Sequence, residues 1–332
     1  KKKRFDGMIA AQGGTHRSAP PSSVAKHLMM IAVPVTIGAM ISPLTGIVDS
    51  ALIGRILTGL NFSQEAAQTA YSLLRTNVTT LVNMPGVLTT ALAMSLVPAV
   101  SSYMALNDKS GVKSVSQTGM KLSLIVGMPC ACGLFVLARP ILLLLYPTLT
   151  AEKLLIAEPL LRVAAVGVIF LSLVQTMTGV IQGIGRPRVP VINLFLGFIV
   201  KIISLVFLMN IPSLNILGAA ISTVLCYIVA AALDTLYMIR KEGLKVGFFD
   251  VFIKPLVASV VMGAAVLLSY QLLAAVVSSN TATFVSICIG ALVYGVLVLM
   301  LKMFSDSDLK LIPGQNKIRV YFKRRNSRCA KS

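Results

Sequence analysis

The segment Val189–Leu208, VPVINLFLGFIVKIISLVFL, indicates the fold class because it is apolar along its length and carries a single charged side chain, Lys201. A bilayer with a hydrocarbon core of about 30 Å needs about 20 consecutive, mostly apolar residues for one spanning helix. Strands of a membrane barrel would instead be segments of about 10 residues with strict alternation. The segment therefore predicts a transmembrane α-helix.

Similar apolar segments lie on both sides of this one, separated by short connections that carry Pro, Gly, Asn or charged residues. The chain is 56% hydrophobic and only 12% charged, which is too apolar for a soluble domain. We therefore predict an all-α membrane protein with eight transmembrane helices. Their predicted spans are Leu28–Leu52, Thr76–Tyr103, Leu122–Tyr146, Leu154–Ile181, Val189–Leu208, Leu217–Met238, Pro255–Val277 and Thr283–Leu301.

The net charge of +19 would favour nucleic-acid binding in a soluble protein, so the positions of the cations matter. They concentrate before the first helix, in alternate connections such as the one containing Lys109, Lys113 and Lys121, and after the last helix. Two of the other connections, 210–216 and 278–282, carry no charge. The positive-inside rule then places both termini in the cytoplasm, and we expect no nucleic-acid partner.

Metal binding and covalent catalysis are not indicated. Cys130 and Cys132 lie two residues apart on a predicted helix and so point to different faces, and His16 and His27 are far from them in sequence. The glycine-rich segment 182–190 has neither a preceding strand nor a following Lys-Ser/Thr pair, so it is not a nucleotide loop. We expect no metal, no cofactor and no enzymatic activity.

Polar residues inside the first two predicted helices require an explanation. Asp49 and Arg75 lie near the outer ends of consecutive helices, where they can pair across a water-filled cavity, and Asn77 and Asn83 follow in the second helix. Small and hydroxylated residues in these helices are compatible with simple helix packing. A charge inside the membrane costs several kcal/mol and usually faces a partner or a cavity, which favours a functional interpretation of the charged residues.

The fourth and fifth predicted helices carry a second set of polar residues. Glu158 and Arg162 have the spacing of an ion pair on one helix. Gln175 and Gln182 are costly in lipid and are expected to face protein or water. Asn193 and Lys201 follow in the fifth helix, and Lys201 falls near mid-span. It either forms a structural salt bridge with another helix or contacts an anionic substrate or responds to a coupling ion.

Four motifs occur in order along the chain: PVTIGAMISPLTGIVDSALIGRIL at 34–57, NMPGVLTTALAMSLVPAVS at 83–101, TGVIQGIGRPRVPVIN at 178–193 and IPSLNILGAAISTVLCYIVAA at 211–231. Together they resemble the stage V sporulation protein B group of polysaccharide-exporter flippases. This group is part of a superfamily that also contains multidrug and toxin extrusion proteins and lipid II flippases. The resemblance covers roughly Val24–Glu242.

The resemblance implies a parent protein of about fourteen helices in two pseudo-symmetric lobes. This chain would contribute a basic linker at 1–23, a six-helix C-terminal lobe at 24–246, a final helix pair at 247–303 and a basic tail at 304–332. The N-terminal lobe would be its missing partner. In lipid II flippases a cationic cavity receives the sugar-diphosphate headgroup. The arginine that precedes the motif's proline there is replaced here by Thr80, whereas Arg75 lies further out.

These observations predict a flippase of the bacterial plasma membrane that moves a lipid-linked glycan by alternating access, with membrane lipids as neighbours and Na⁺ or H⁺ as a possible coupling ion. One alternative is a multidrug or cation antiporter of the same superfamily, which would use acids such as Asp49. Another is a non-transporting scaffold that contacts anionic lipid through the basic tail. The expected substrate-binding residues are Asp49, Arg75, Asn77, Asn83, Gln175, Gln182, Asn193 and Lys201.

Overall fold

The structure, a computed structural model, describes residues 21–60, 62–211, 213–244, 247, 249–301 and 303. The side chains of several residues between 21 and 42 are outside this description as well. The tail 304–332 and nearly all of the linker 1–23, both predicted from charge, lie outside the described residues.

All regular structure in the described ranges is helical. Two short π-helical segments, Leu73–Val78 and Phe249–Ile253, precede long α-helices. The α-helices are α1 Pro21–Gly59, α2 Gln64–Ser72, α3 Thr79–Ala105, α4 Lys109–Val136, α5 Ala138–Leu145, α6 Ala151–Gly183, α7 Arg188–Met209, α8 Leu217–Glu242, α9 Lys254–Ala274 and α10 Ser279–Met300.

Seven continuous helical segments of the described chain are long and apolar enough to cross a membrane. One of them runs through α2, the first π-helical segment and α3, from Gln64 to Ala105. The first predicted span, Leu28–Leu52, lies inside α1, a single helix of 39 residues. The prediction of an all-α membrane protein is therefore confirmed.

The third predicted span, Leu122–Tyr146, has the wrong bounds. Helix α4 begins at Lys109, where the side chain of Asp108 accepts a hydrogen bond of 2.9 Å from the backbone N–H of Gly111. Such a cap satisfies one of the free N–H groups at the start of a helix. The segment with Lys109, Lys113 and Lys121 is thus the first part of a helix and not a connection. Hydropathy did not indicate this extension because its residues are largely polar.

Helix α6 lies at the centre of the bundle and contacts α3, α4, α8 and the first π-helical segment. Helices α7 and α8 pack against each other, and α1 packs against α7. The last two helices, α9 and α10, form a pair whose main attachment is to α4. The predicted division into a six-helix lobe and a final pair stays a prediction. The arrangement leaves a cavity among α1, α3, α6, α7 and α8.

Candidate functional site

A cavity of about 510 Å³ opens between the helices of the bundle. Its wall is formed by α1, α2, the first π-helical segment, α3, α6, α7 and α8. Most lining residues are apolar or carry hydroxyl or amide groups. The charged side chains among them are Asp49, Arg75 and Lys201. The cavity therefore has two cations and one anion in its wall.

Lys201 and Asp49 form an ion pair between α7 and α1. The Lys201 ammonium lies 2.7 Å from Asp49 Oδ2, and Lys201 is only 3% exposed. The expected pairing of Asp49 with Arg75 is therefore wrong. The reason is energetic, because an ammonium buried this deeply needs a counter-charge more than a guanidinium that is open to the cavity. Of the two interpretations of Lys201, the salt bridge is the one observed.

Close packing of α7 against α8 places this pair. A Cβ atom on Gly197, one turn before Lys201, would lie 2.7 Å from the backbone oxygen of Cys226. Only glycine allows the two helices to approach this closely. Cys226 and Tyr227 consequently line the cavity beside Lys201.

The first π-helical segment positions Arg75. It inserts a wider turn, Leu73–Val78, between α2 and α3, and Thr79 Oγ1 donates a 2.8 Å hydrogen bond to Leu74 O at its end. Single turns of π-helix often occur at functional sites, where they redirect a side chain. The Arg75 guanidinium lies against α1, where Nη2 would be 3.0 Å from a Cβ atom on Gly46. Tyr71, one turn earlier, donates a 3.2 Å hydrogen bond to Gly46 O.

Arg75 is the uncompensated charge of the cavity. Its side chain is exposed, and within the described part of the chain it forms no ion pair. The Lys201 charge is cancelled by Asp49, so the net positive charge of the wall comes from Arg75. A guanidinium presents a rigid fork of donors that suits phosphate or carboxylate oxygens. The site can thus bind an anionic group such as a phosphate or a carboxylate.

An amide-bearing wall lies on the side of α6. Gln175 Oε1 accepts a hydrogen bond from Thr89 of α3, and the Gln175 amide lies against Gly86. Gln182 and Asn83 also line the cavity. The prediction that Gln175 and Gln182 face protein or water is therefore confirmed, and these groups can hydrogen-bond sugar hydroxyls.

Two predicted site residues lie elsewhere. Asn77 is half-buried in the π-helical segment but does not line the cavity. Asn193 also lies outside the lining, because its amide donates a 2.7 Å hydrogen bond to Asp234 of α8. Both were expected to bind substrate, but helical register alone does not show which neighbour a face contacts, and neither residue lines the cavity. The predicted ion pair between Glu158 and Arg162 is confirmed at 2.7 Å, outside the cavity.

The structure adds residues that the sequence reasoning did not select. Tyr71, Thr223 and Tyr227 line the cavity. Tyr71 precedes Arg75 by four residues, so its place on the same helical face was a usable signal. Thr223 and Tyr227 also lie one turn apart, on α8, but the nearest charged residue of that helix, Asp234, lies about two turns beyond Tyr227.

An apolar helical bundle with a polar cavity among its spans is typical of polytopic membrane proteins, the class that includes secondary transporters. Residues 25–294 match the family model of the lipid II flippase MurJ. The chain belongs to this family.

Individual relatives agree with this assignment. The chain is 25% identical over 313 residues to the uncharacterized membrane protein YabM of Bacillus subtilis (strain 168), covering 91% of this chain and 56% of that protein. It is 23% identical over 289 residues to stage V sporulation protein B of the same organism, covering 86% of this chain and 54% of that protein. The resemblance to the sporulation protein's group is thereby confirmed.

A solved structure of the lipid II flippase MurJ, in an inward closed conformation, has a similar fold. It aligns with a TM-score of 0.54 and 17% identity, covering 72% of this chain and 53% of that one. The chain spans about half the length of the curated relatives it matches.

Proposed function

We propose that this chain is part of a flippase that moves a lipid-linked glycan precursor across the bacterial plasma membrane by alternating access. The observation that supports this proposal most directly is Arg75, an exposed guanidinium in the cavity wall with no acidic partner among the described residues. Membership of the lipid II flippase MurJ family supports the same function.

The substrate's parts have counterparts in the cavity wall. A phosphate or diphosphate link would lie against Arg75, and sugar hydroxyls would meet the amides of Asn83, Gln175 and Gln182. The proposal places both chain termini in the cytoplasm and the lipid tail in the bilayer, with a further lobe completing the site. It leaves Na⁺ and H⁺ as the candidate coupling ions.

The cavity charge argues against a multidrug or cation antiporter. Such a protein would need an acid available to a cationic substrate, whereas Asp49 is the only acid among the described lining residues and is held by Lys201. For the scaffold alternative, the relevant basic tail lies outside the described residues.

Arg75→Gln tests the proposal in the complete protein, reconstituted in liposomes with a fluorescent undecaprenyl-diphosphate-linked sugar. A charge-assisted hydrogen bond contributes about 1.5–3 kcal/mol, so the variant should bind this substrate about tenfold to hundredfold more weakly. Arg55→Gln is the matched control, since Arg55 is an exposed arginine of α1 outside the cavity. Unchanged substrate binding in Arg75→Gln, or competition by a lipophilic cation, would contradict the proposal.

A further inference from the structure

Asp234 is a buried acid that the proposed site does not use. It lies in α8 and is 1% exposed, the most deeply buried carboxyl group among the described residues. Its Oδ1 accepts a 2.7 Å hydrogen bond from the Asn193 amide of α7. Its Oδ2 is buried and has no hydrogen-bond partner in the described part of the chain.

The surroundings of Asp234 are apolar. Ala230, Ala231 and Met238, on the same buried face of α8, belong to a cluster that also contains Val174 and Met177 of α6. A carboxylate in such an environment with one neutral donor is strongly disfavoured, and a buried acid of this kind usually takes up a proton.

No described charged residue near this point supplies a counter-charge. On α7, Arg188 is exposed at the helix start, and Lys201 lies two turns beyond Asn193 and is bound to Asp49. On α8, Arg240 and Lys241 are exposed in the last turn. The titratable residues of α6 lie near its opposite end, and they are Glu152, Lys153, Glu158 and Arg162.

Two further groups of α8 lie within about two turns of Asp234. Tyr237 lies one turn beyond Asp234, and its hydroxyl is also buried without a hydrogen-bond partner in the described residues. Cys226, two turns before Asp234, lies at the cavity. Neither group is cationic. Oδ1 of Asp234 is hydrogen-bonded by Asn193, and Oδ2 needs either a proton or a cation from outside the described residues.

We propose that Asp234 and Asn193 form a proton-binding site between α7 and α8, and that the bound proton keeps the two helices packed at this level. Loss of the proton would leave a carboxylate that needs water or a cation, and neither can reach Oδ2 without separation of the helices. The same two helices carry Lys201 and Cys226 of the cavity wall. Lys201 lies about 12 Å along α7 from Asn193, at 1.5 Å per residue. The site itself does not rest on the proposed function, although its use in driving transport would.

Infrared spectroscopy of the purified chain in lipid nanodiscs tests the proton directly. At neutral pH the C=O stretching band of a protonated carboxyl group should be present, absent in Asp234→Asn and retained in Asp250→Asn. Asp250 is the matched control, since it is an exposed carboxylate paired with Lys254. In Asn193→Ala the band should persist to a pH higher by about one unit or more, because the lost amide donor favoured the ionised form.

Hydrogen exchange in the same samples tests the packing. Backbone amides of α7 and α8 should exchange faster as the band disappears with rising pH, whereas Asp234→Asn should keep slow exchange throughout. The proposal is overturned if the wild-type band is missing at neutral pH or survives in Asp234→Asn. Loss of the band on addition of Na⁺ at constant pH would assign the site to the metal ion and overturn it as well. If amide exchange in α7 and α8 does not change as the band disappears, the bound proton does not hold the two helices together.

Discussion

At the scale of single residues, a double-mutant cycle measures the interaction energy between Lys201 and Asp49. The Lys201 side chain is 4% exposed and that of Asp49 is 15% exposed. Removing one partner of a buried pair leaves an uncompensated charge and costs about 3–5 kcal/mol. Asp49→Asn should destabilise more than Lys201→Met, because it strands the more deeply buried group.

The double variant Asp49→Asn/Lys201→Met should recover most of the lost stability, because neither charge is then left alone. Unfolding in mixed micelles measures all four proteins of the cycle. Additive losses in the double variant would show that the two side chains do not act as a pair.

Gly46 provides a second prediction at this scale. A Cβ atom at Gly46 would lie 3.0 Å from Nη2 of Arg75, the end of a flexible side chain, so Gly46→Ala should move the guanidinium without unfolding the protein. Substrate binding should fall severalfold while thermal stability stays within about 0.5 kcal/mol, the usual range for a substitution that meets no fixed neighbour. Gly54→Ala, on the same helix with nothing near its Cβ position, is the control. Equal binding by both variants would refute a positioning role for Gly46.

At the scale of helices, Tyr294 joins the final pair to the rest of the bundle. Pro129 has no N–H, so the carbonyl of Ile125, four residues earlier in α4, lacks its helical donor. Tyr294 of α10 donates a 2.7 Å hydrogen bond to that carbonyl. The proline thus creates an acceptor within the membrane, and α10 supplies its donor.

Tyr294→Phe should weaken the attachment of α9 and α10 by about 1–3 kcal/mol, the cost of leaving a buried acceptor unpaired. Faster amide exchange in 254–300, with little change in α6, is the expected measurement. Tyr270→Phe is the control, because the hydrogen bond of the Tyr270 hydroxyl in the described residues is to Ser279, at an exposed position. A Tyr294→Phe profile identical to wild type would show that the hydrogen bond does not hold the pair.

Hydropathy predicted the positions of the helices well because a spanning backbone must satisfy its hydrogen bonds within one helix. It did not predict the π-helical segment at Leu73–Val78 or the helix break at Leu137, since both are set by side-chain packing and leave no periodic signal. For the site, Arg75, Asp49 and Lys201 were identified from the cost of intramembrane charge. The pairing of Asp49 with Lys201 was not predicted, because it depends on α1 packing against α7.

At the scale of the whole molecule, the relative direction of the helices determines which connections lie on the same side of the membrane. Helix α9 runs along α4 in the same direction, because Asp250 lies near Lys121 and Gly263 lies against Cys132 further along. The turn between α9 and α10 is therefore at the opposite end of the bundle from the start of α4. The positive-inside rule predicts that the start of α4 is cytoplasmic, since the cations cluster there and the 278–282 turn has none.

Cysteines introduced at Ser110 and Asn280 should consequently react with a membrane-impermeant maleimide from opposite sides, Ser110→Cys from inside and Asn280→Cys from outside. Both positions are exposed, and the neighbouring Gly111 is unsuitable because a Cβ atom there would overlap the ring of Tyr103. The native cysteines must first be replaced, and labelling of intact cells is compared with labelling of inverted vesicles. Labelling of both positions from one side would contradict the arrangement of the helices in the bundle. Exchange of the two sides would leave the bundle intact and show that the charge distribution does not set its orientation.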